Sequence, residues 1–105
     1  MVHLKPGVKL TGIRPELLIA LMVFNELYEE FGTVCTITSC VDGVHMPGSK
    51  HYVGSGIDFR TKSLPDSITD AATIARRARS ALGPDFDIVV EDDHIHCEWD
   101  PKTEI

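Results

Sequence analysis

The chain has no apolar run that approaches a membrane span. The longest, residues 17–24, falls far short of the roughly 20 residues a bilayer requires. Residues 1–10 carry Lys5, Pro6 and Lys9 and lack the apolar core of a secretory signal, so synthesis in the cytoplasm without an export signal is expected. Cysteines are few and odd in number, three, and stand in no C-x-x-C or C-x-C spacing. That argues against a disulfide framework and against a thiolate zinc knuckle. Buried thiols are expected, with a single bridge from Cys97 to Cys35 or Cys40 left open. Positive charge is scarce: 10 Lys and Arg stand against 16 Asp and Glu, a net charge of −6. Such a field repels a phosphate backbone, so nucleic acid is a poor partner. Arg76, Arg77 and Arg79 read as a local basic patch or as a solvated helix end. Repeats, low-complexity segments and linkers are also lacking, and 105 residues suffice for one domain, 1–105.

What is present is an ordinary globular composition, 43% hydrophobic and 25% charged. Residues 1–13 read as extended or loop-like. Pro15 and Glu16 suit a first helical turn, and Leu17, Leu21, Phe24, Tyr28 and Phe31 follow at helical spacing, with Leu18 and Met22 beside them. Gly32 supplies the stop, which predicts a helix over 15–31. Residues 33–39 are rich in β-branched side chains and predict a strand; 56–60 predict a short one. A second helix is expected from Pro65 to Leu82, with Ser67 and Asp70 as a capping pair and Ile68, Ala71, Ile74, Ala75, Ala78 and Leu82 as its apolar face. Residues 86–90 and 94–99 predict two strands joined by a turn at Asp92-Asp93. The order implies an α+β domain, a small, largely antiparallel sheet with helices packed on one face.

The chemistry concentrates in four histidines and one acid. His45 and His51 fall in the central loop, and His94 and His96 lie two apart in a predicted strand, so both face the same side. Asp58 stands between Ile57 and Phe59 and so faces away from the core, where an acid in a half-buried run requires a partner or a metal. Two histidines and one aspartate with an open fourth position is the arrangement of catalytic rather than structural zinc.

Ser49-Lys50-His51-Tyr52-Val53-Gly54-Ser55-Gly56-Ile57-Asp58 resembles the S-x-H-x-x-G-x-A-x-D motif of zinc D-Ala-D-Ala carboxypeptidases and phage peptidoglycan endopeptidases, which share their fold with the hedgehog signalling domain. Gly56 replaces the usual Ala. Asp93-His94-Ile95-His96-Cys97-Glu98-Trp99 is similar to that family's H-x-H strand, and the two motifs stand in the family's order. The resemblance spans roughly residues 11–100. It implies a hedgehog/DD-peptidase-like fold, Zn2+ held by His51, Asp58 and His96, and Asp93 as the catalytic carboxylate, with Glu91 in reserve. It also implies His94 as an oxyanion or substrate contact and His45, Ser49 and Tyr52 as residues of the substrate wall. Glu98 shares the histidine face, either as a hydrogen-bond partner of a ligand histidine or as an exposed acid. Trp99 alternates onto the core face.

The implied activity is hydrolysis of peptide bonds in peptidoglycan stem or cross-bridge peptides by a metal-activated water. The implied setting is a monomer that reaches the wall through a membrane-permeabilising partner or within a phage particle. The alternative is a non-catalytic, hedgehog-like zinc-binding interaction domain. One departure bears on specificity. Many carboxypeptidase members carry an arginine soon after a Thr-Ser-Gly stretch, where it contacts the substrate carboxylate or the oxyanion. Here residues 37–43 contain none, which leaves Lys50 or Arg60 as substitutes.

Overall fold

A computed structural model describes residues 1–40 and 56–102 of the chain. Seven elements follow in order: β1 (Val2–Leu4), α1 (Pro15–Glu30), β2 (Cys35–Ser39), β3 (Gly56–Arg60), α2 (Thr69–Leu82), β4 (Phe86–Val90) and β5 (His94–Trp99). The strands form one mixed sheet in the order β1-β2-β3-β5-β4. β1 pairs parallel with β2, and the other neighbours are antiparallel. The sheet is therefore not wholly antiparallel. The reason lies in residues 1–13: β1 is only three residues long, too short for alternation to betray it, and α1 forms the crossover that a parallel pair requires. α2 links β3 to β4 in the same sense, with β5 inserted between them.

Each helix starts and stops for local reasons. Pro15 occupies the first helical position of α1, and Glu16 lies in its first turn. At the other end Gly32, at φ +71°, allows Gly32 N–H to bond Glu29 C=O at 2.9 Å and Thr33 N–H to bond Tyr28 C=O at 3.2 Å. That pair of bonds is a Schellman stop, which needs a left-handed residue between them. The cap of α2 differs from the expected one. Asp66, not Ser67, accepts from the N–H groups of Ile68 (3.1 Å) and Thr69 (3.0 Å), and Asp70 accepts from Asp66 N–H at 2.9 Å. These bonds hold the Asp66 carboxyl below its usual range, the Thr69 N–H first. The helix begins at Thr69, so Ile68 lies outside its apolar face and is 82% exposed.

The core lies between the helices and one face of the sheet. Leu17, Ala20, Phe24, Leu27 and Tyr28 of α1 and Ala71, Ile74, Ala75 and Ala78 of α2 meet Cys35, Ile37, Ile57, Phe59, Ile88, Ile95 and Cys97. Leu18 and Met22 fall outside this stripe, because the helix is rotated to turn Ala20 and Leu27 inward. Phe24 and Phe59 stack with ring centroids 4.2 Å apart. Tyr28 Oη donates to Arg60 C=O at 2.7 Å and ties α1 to β3. Cys35, Cys40 and Cys97 are buried thiols, and burial pushes Cys35 and Cys97 up to about 12. Of the three clustered arginines, Arg77 pairs with Glu30 at 3.0 Å and Arg79 donates to Ile88 C=O at 2.7 Å. Both side chains are thus tied into the framework. Trp99 packs against the core with the Arg14 guanidinium 4.5 Å above its ring. Among the described residues, no helix is long and apolar enough to cross a membrane.

Candidate functional site

The opposite face of the same strands carries the polar side chains. Strand alternation dictates this: once Ile57, Phe59, Ile95 and Cys97 point into the core, Asp58, Arg60, His94, His96 and Glu98 must point away from it. Cross-strand register then fixes which meet. Asp58 lies opposite His96, Arg60 opposite His94, and Asp87 opposite Glu98. β2 carries one extra residue between Ile37 and Ser39 relative to β3, a bulge that falls at Thr38 beside this face.

His96 stands at the centre. Its Nδ1 donates to Asp58 Oδ1 at 2.8 Å and its Nε2 to Glu98 Oε1, also at 2.8 Å. Both ring nitrogens donate only in the imidazolium, so two carboxylates hold the charged form. The hydrogen bond to Asp58 raises the His96 pKa from 6.5 to about 8. Burial opposes the rise and the bond to Glu98 adds to it. The group is well enclosed, with His96 and Asp58 only 20% and 16% exposed.

His94 joins the same cluster from the next position on that face. Its Nε2 lies 3.8 Å from Asp58 Oδ1, while its Nδ1 lies 2.6 Å from Asp93 Oδ1. Asp93 is 84% exposed, and the hydrogen bond with His94 is the first cause that holds its carboxyl below the usual range. The result is a chain of groups, Asp93–His94–Asp58–His96–Glu98, across β3 and β5. A second cluster adjoins it: Asp87, Glu98 and Asp100 each offer a carboxylate oxygen, all within 4.8 Å of one another, an arrangement that could hold a metal ion. Lys102 Nζ already reaches this cluster, 3.0 Å from Asp87 and 3.5 Å from Asp100.

The structure thus brings together four of the residues singled out from sequence, Asp58, Asp93, His94 and His96. His45, Ser49, His51 and Tyr52 lie outside the described residues. Glu98 is a hydrogen-bond partner of His96 rather than an exposed acid, and its place on the histidine face was the signal for it. Lys5, Arg60 and Lys62 line the edge of the same site together with Thr38 and Asp93. For Arg60 the signal was its two-residue spacing from Asp58; for Lys5 and Lys62 there was none.

Among the described residues, the three-residue group whose ligand atoms close to within 4.8 Å is Asp87, Glu98 and Asp100, while Asp58, His94 and His96 match zinc in ligand type. A carboxylate oxygen and an imidazole nitrogen facing each other across paired strands, with a second imidazole near the same oxygen, are ligand types zinc takes. The His96 nitrogen becomes a ligand only on losing its proton. With Nδ1 directed at the Asp58 side, Glu98 is placed to hold the other ring N–H, as carboxylates do behind metal-bound histidines. Compared with protein families, with curated proteins and with solved structures, the chain matches none.

Proposed function

We propose that the chain is a zinc-dependent hydrolase of peptide bonds, directed at short peptides of the bacterial cell wall. One observation carries the reading: Asp58 and His96, the two described residues that the motif resemblance names as ligands, face each other 2.8 Å apart on register-matched strands. Their motifs lie 38 residues apart in sequence, and antiparallel pairing of β3 and β5 closes that distance. His51, outside the described residues, is the third ligand of the proposal. Imidazole favours this locus over the all-carboxylate cluster at Asp87, Glu98 and Asp100, which suits a harder cation and already holds Lys102.

Zinc held there would supply a Lewis acid for a carbonyl and a water with its pKa lowered towards ~7. The chain's own residues do the rest. Asp58 and His96 would hold the ion, and Glu98, hydrogen-bonded to the His96 ring at 2.8 Å, would fix the imidazole. Asp93, ionised at neutral pH, accepts a proton from water and passes it to the leaving amine, contributing on the order of 10²–10⁴ in rate. His94 sits between Asp93 and Asp58, and its role in the proposal is to contact the substrate oxygen.

The non-catalytic alternative draws on a specific observation: the Asp93 carboxylate is already engaged by His94 at 2.6 Å and depressed in pKa, which weakens it as a base. Zinc content by mass spectrometry, on protein purified without a metal-affinity tag, comes first. About one zinc per chain is expected, lost in His51→Ala, Asp58→Ala and His96→Ala. Hydrolysis of purified peptidoglycan then separates the readings: Asp93→Asn keeps the zinc and loses activity if the chain is a peptidase. Protein without zinc even after reconstitution overturns both.

A further inference from the structure

The helical side of the sheet carries a groove that the proposed chemistry leaves unused. It lies between α1 and α2, holds about 490 Å³ and is lined by Val23, Glu26, Leu27, Glu30, Arg77 and Ala81. That volume falls within the roughly 300–1,000 Å³ of pockets that take a ligand. The histidines lie across the sheet, on its other face.

Helical spacing prolongs the groove. Val23, Glu26, Leu27 and Glu30 recur at three and four residues, and Ile19 stands one turn earlier on the same face. Met22 borders it. Ile19 and Met22 each expose more than half of their surface. From Ile19 to Glu30 the face runs about 16 Å, or three turns, at ~1.5 Å per residue. Its floor is apolar, and its far end is acidic.

That acidic end is poorly compensated. Glu26, Glu29 and Glu30 crowd the C-terminal end of α1, where the macrodipole is already negative, and no base lies in the last turn. Glu26 and Glu30 stand four residues apart, a spacing at which like charges repel. Glu29 is engaged by the Met1 amine and by Asn25, and Glu30 by Arg77 across the groove. Among the described residues, Glu26 forms no ion pair or hydrogen bond. A cation brought by an occupant would relieve it.

Charge also selects among occupants. A second copy packed about a two-fold axis would set the same acids against each other, in chains of net charge −6. An anionic lipid surface is repelled for the same reason. An extended strand finds no unpaired backbone between two helices to bond its own amides. A helix satisfies its own backbone and packs roughly 8–10 Å from each neighbour.

We propose that the groove between α1 and α2 docks a cationic amphipathic helix of a partner protein, about three turns long, with large apolar side chains over Val23 and Leu27 and a lysine or arginine at Glu26. The assignment is independent of the zinc reading. Docking there leaves the Asp58–His96 face open, so the partner carries the domain without covering its candidate site.

The test uses the full chain and two acetylated and amidated helical peptides that share a leucine face, one flanked by lysines and the other by glutamates. Binding is followed by the methyl NMR signals of Val23, Leu27 and Ala81 and by the Arg77 Nε–H signal. The lysine peptide is expected to shift these signals, to leave those of His94 and His96 in place, and to bind about tenfold more tightly than the glutamate peptide. Glu26→Gln is expected to weaken it about threefold, the size of one exposed ion pair. Ala81→Arg, at an exposed position where folding is not at stake, fills the groove with a like charge and is expected to weaken it more than about tenfold. Equal binding of the two peptides, shifts confined to the histidine face, or an unchanged affinity in a Glu26→Gln/Ala81→Arg double variant that retains its amide spectrum overturns the proposal. Self-association of the chain alone that shifts the groove signals assigns the groove to a second copy and overturns it too. So does binding to phosphatidylglycerol vesicles that shifts the same signals.

Discussion

The two faces of the sheet are built from alternate residues of the same strands, yet they obey different physics. On β3 and β5 the odd-numbered positions, Ile57, Phe59, Ile95 and Cys97, are wholly buried against the helices. The even-numbered positions, Asp58, Arg60, His94, His96 and Glu98, are half-buried on the other side. Burial of each large apolar side chain contributes about 1.5–3 kcal/mol. The polar face instead places Asp58, His96 and Glu98 so that each satisfies another. Stability resides on one face and titratable chemistry on the other, and a one-residue slip of register would exchange them.

The sharpest way to break that comparison is Phe59→Ala. Its ring stacks on Phe24 and contacts Tyr28, and removing it is expected to cost about 3–5 kcal/mol, close to the whole margin of a small domain. Urea unfolding in the presence of a chelator measures it, and a cost below about 1 kcal/mol would show that this face is not the core. Asp58→Asn tests the other face. Zinc affinity is expected to fall by more than the roughly 10–100-fold that loss of an outer hydrogen-bond partner brings. The urea slope, set by the surface exposed on unfolding, is expected to stay the same.

The alternation that separates the faces was legible in the sequence, because period-2 patterning over 56–60 and 94–99 needs only neighbouring residues. It put Asp58, His94 and His96 on one side before any pairing was known. Register was not legible: that Asp58 faces His96 rather than His94 depends on contacts 38 residues apart. Three-residue β1 was missed because its parallel partner and crossover helix lie beyond it in sequence. Lys5 was missed with it. The cap of α2 was misplaced by one residue because Asp66 and Ser67 are both good caps, and the bonding of Asp66 to Ile68 and Thr69 decided between them.

A pH series on the metal-free chain comes next in size. His96 has a pKa of about 8 when folded against 6.5 ordinarily, so its contribution is complete below pH 6.5 and disappears as pH rises through 8. That rise corresponds to at most about 2 kcal/mol. Urea midpoints at pH 6 and pH 9 in chelator are expected to differ by no more than that, with pH 6 the more stable. The difference should vanish in His96→Gln. Added zinc is expected to reverse the trend, because the proton on His96 competes with the metal and binding strengthens towards pH 8. A metal-free chain more stable at pH 9 would show that His96 is not held as the imidazolium between Asp58 and Glu98.

The smallest effect belongs to α1, which repeats the two-face division within one helix. Its inner stripe is buried, but Leu18, Ile19 and Met22 project outward, Met22 with 72% of its surface exposed. Met22→Gln keeps a good helix former and removes little buried area, so stability is expected to change by no more than about 0.5 kcal/mol. The thermal midpoint checks this at two protein concentrations. A larger loss that depends on concentration would mean that the outer side of α1 is covered by another copy of the chain in solution. In that case α1 would have two buried faces, and the copies would meet on the side of the domain away from the histidines.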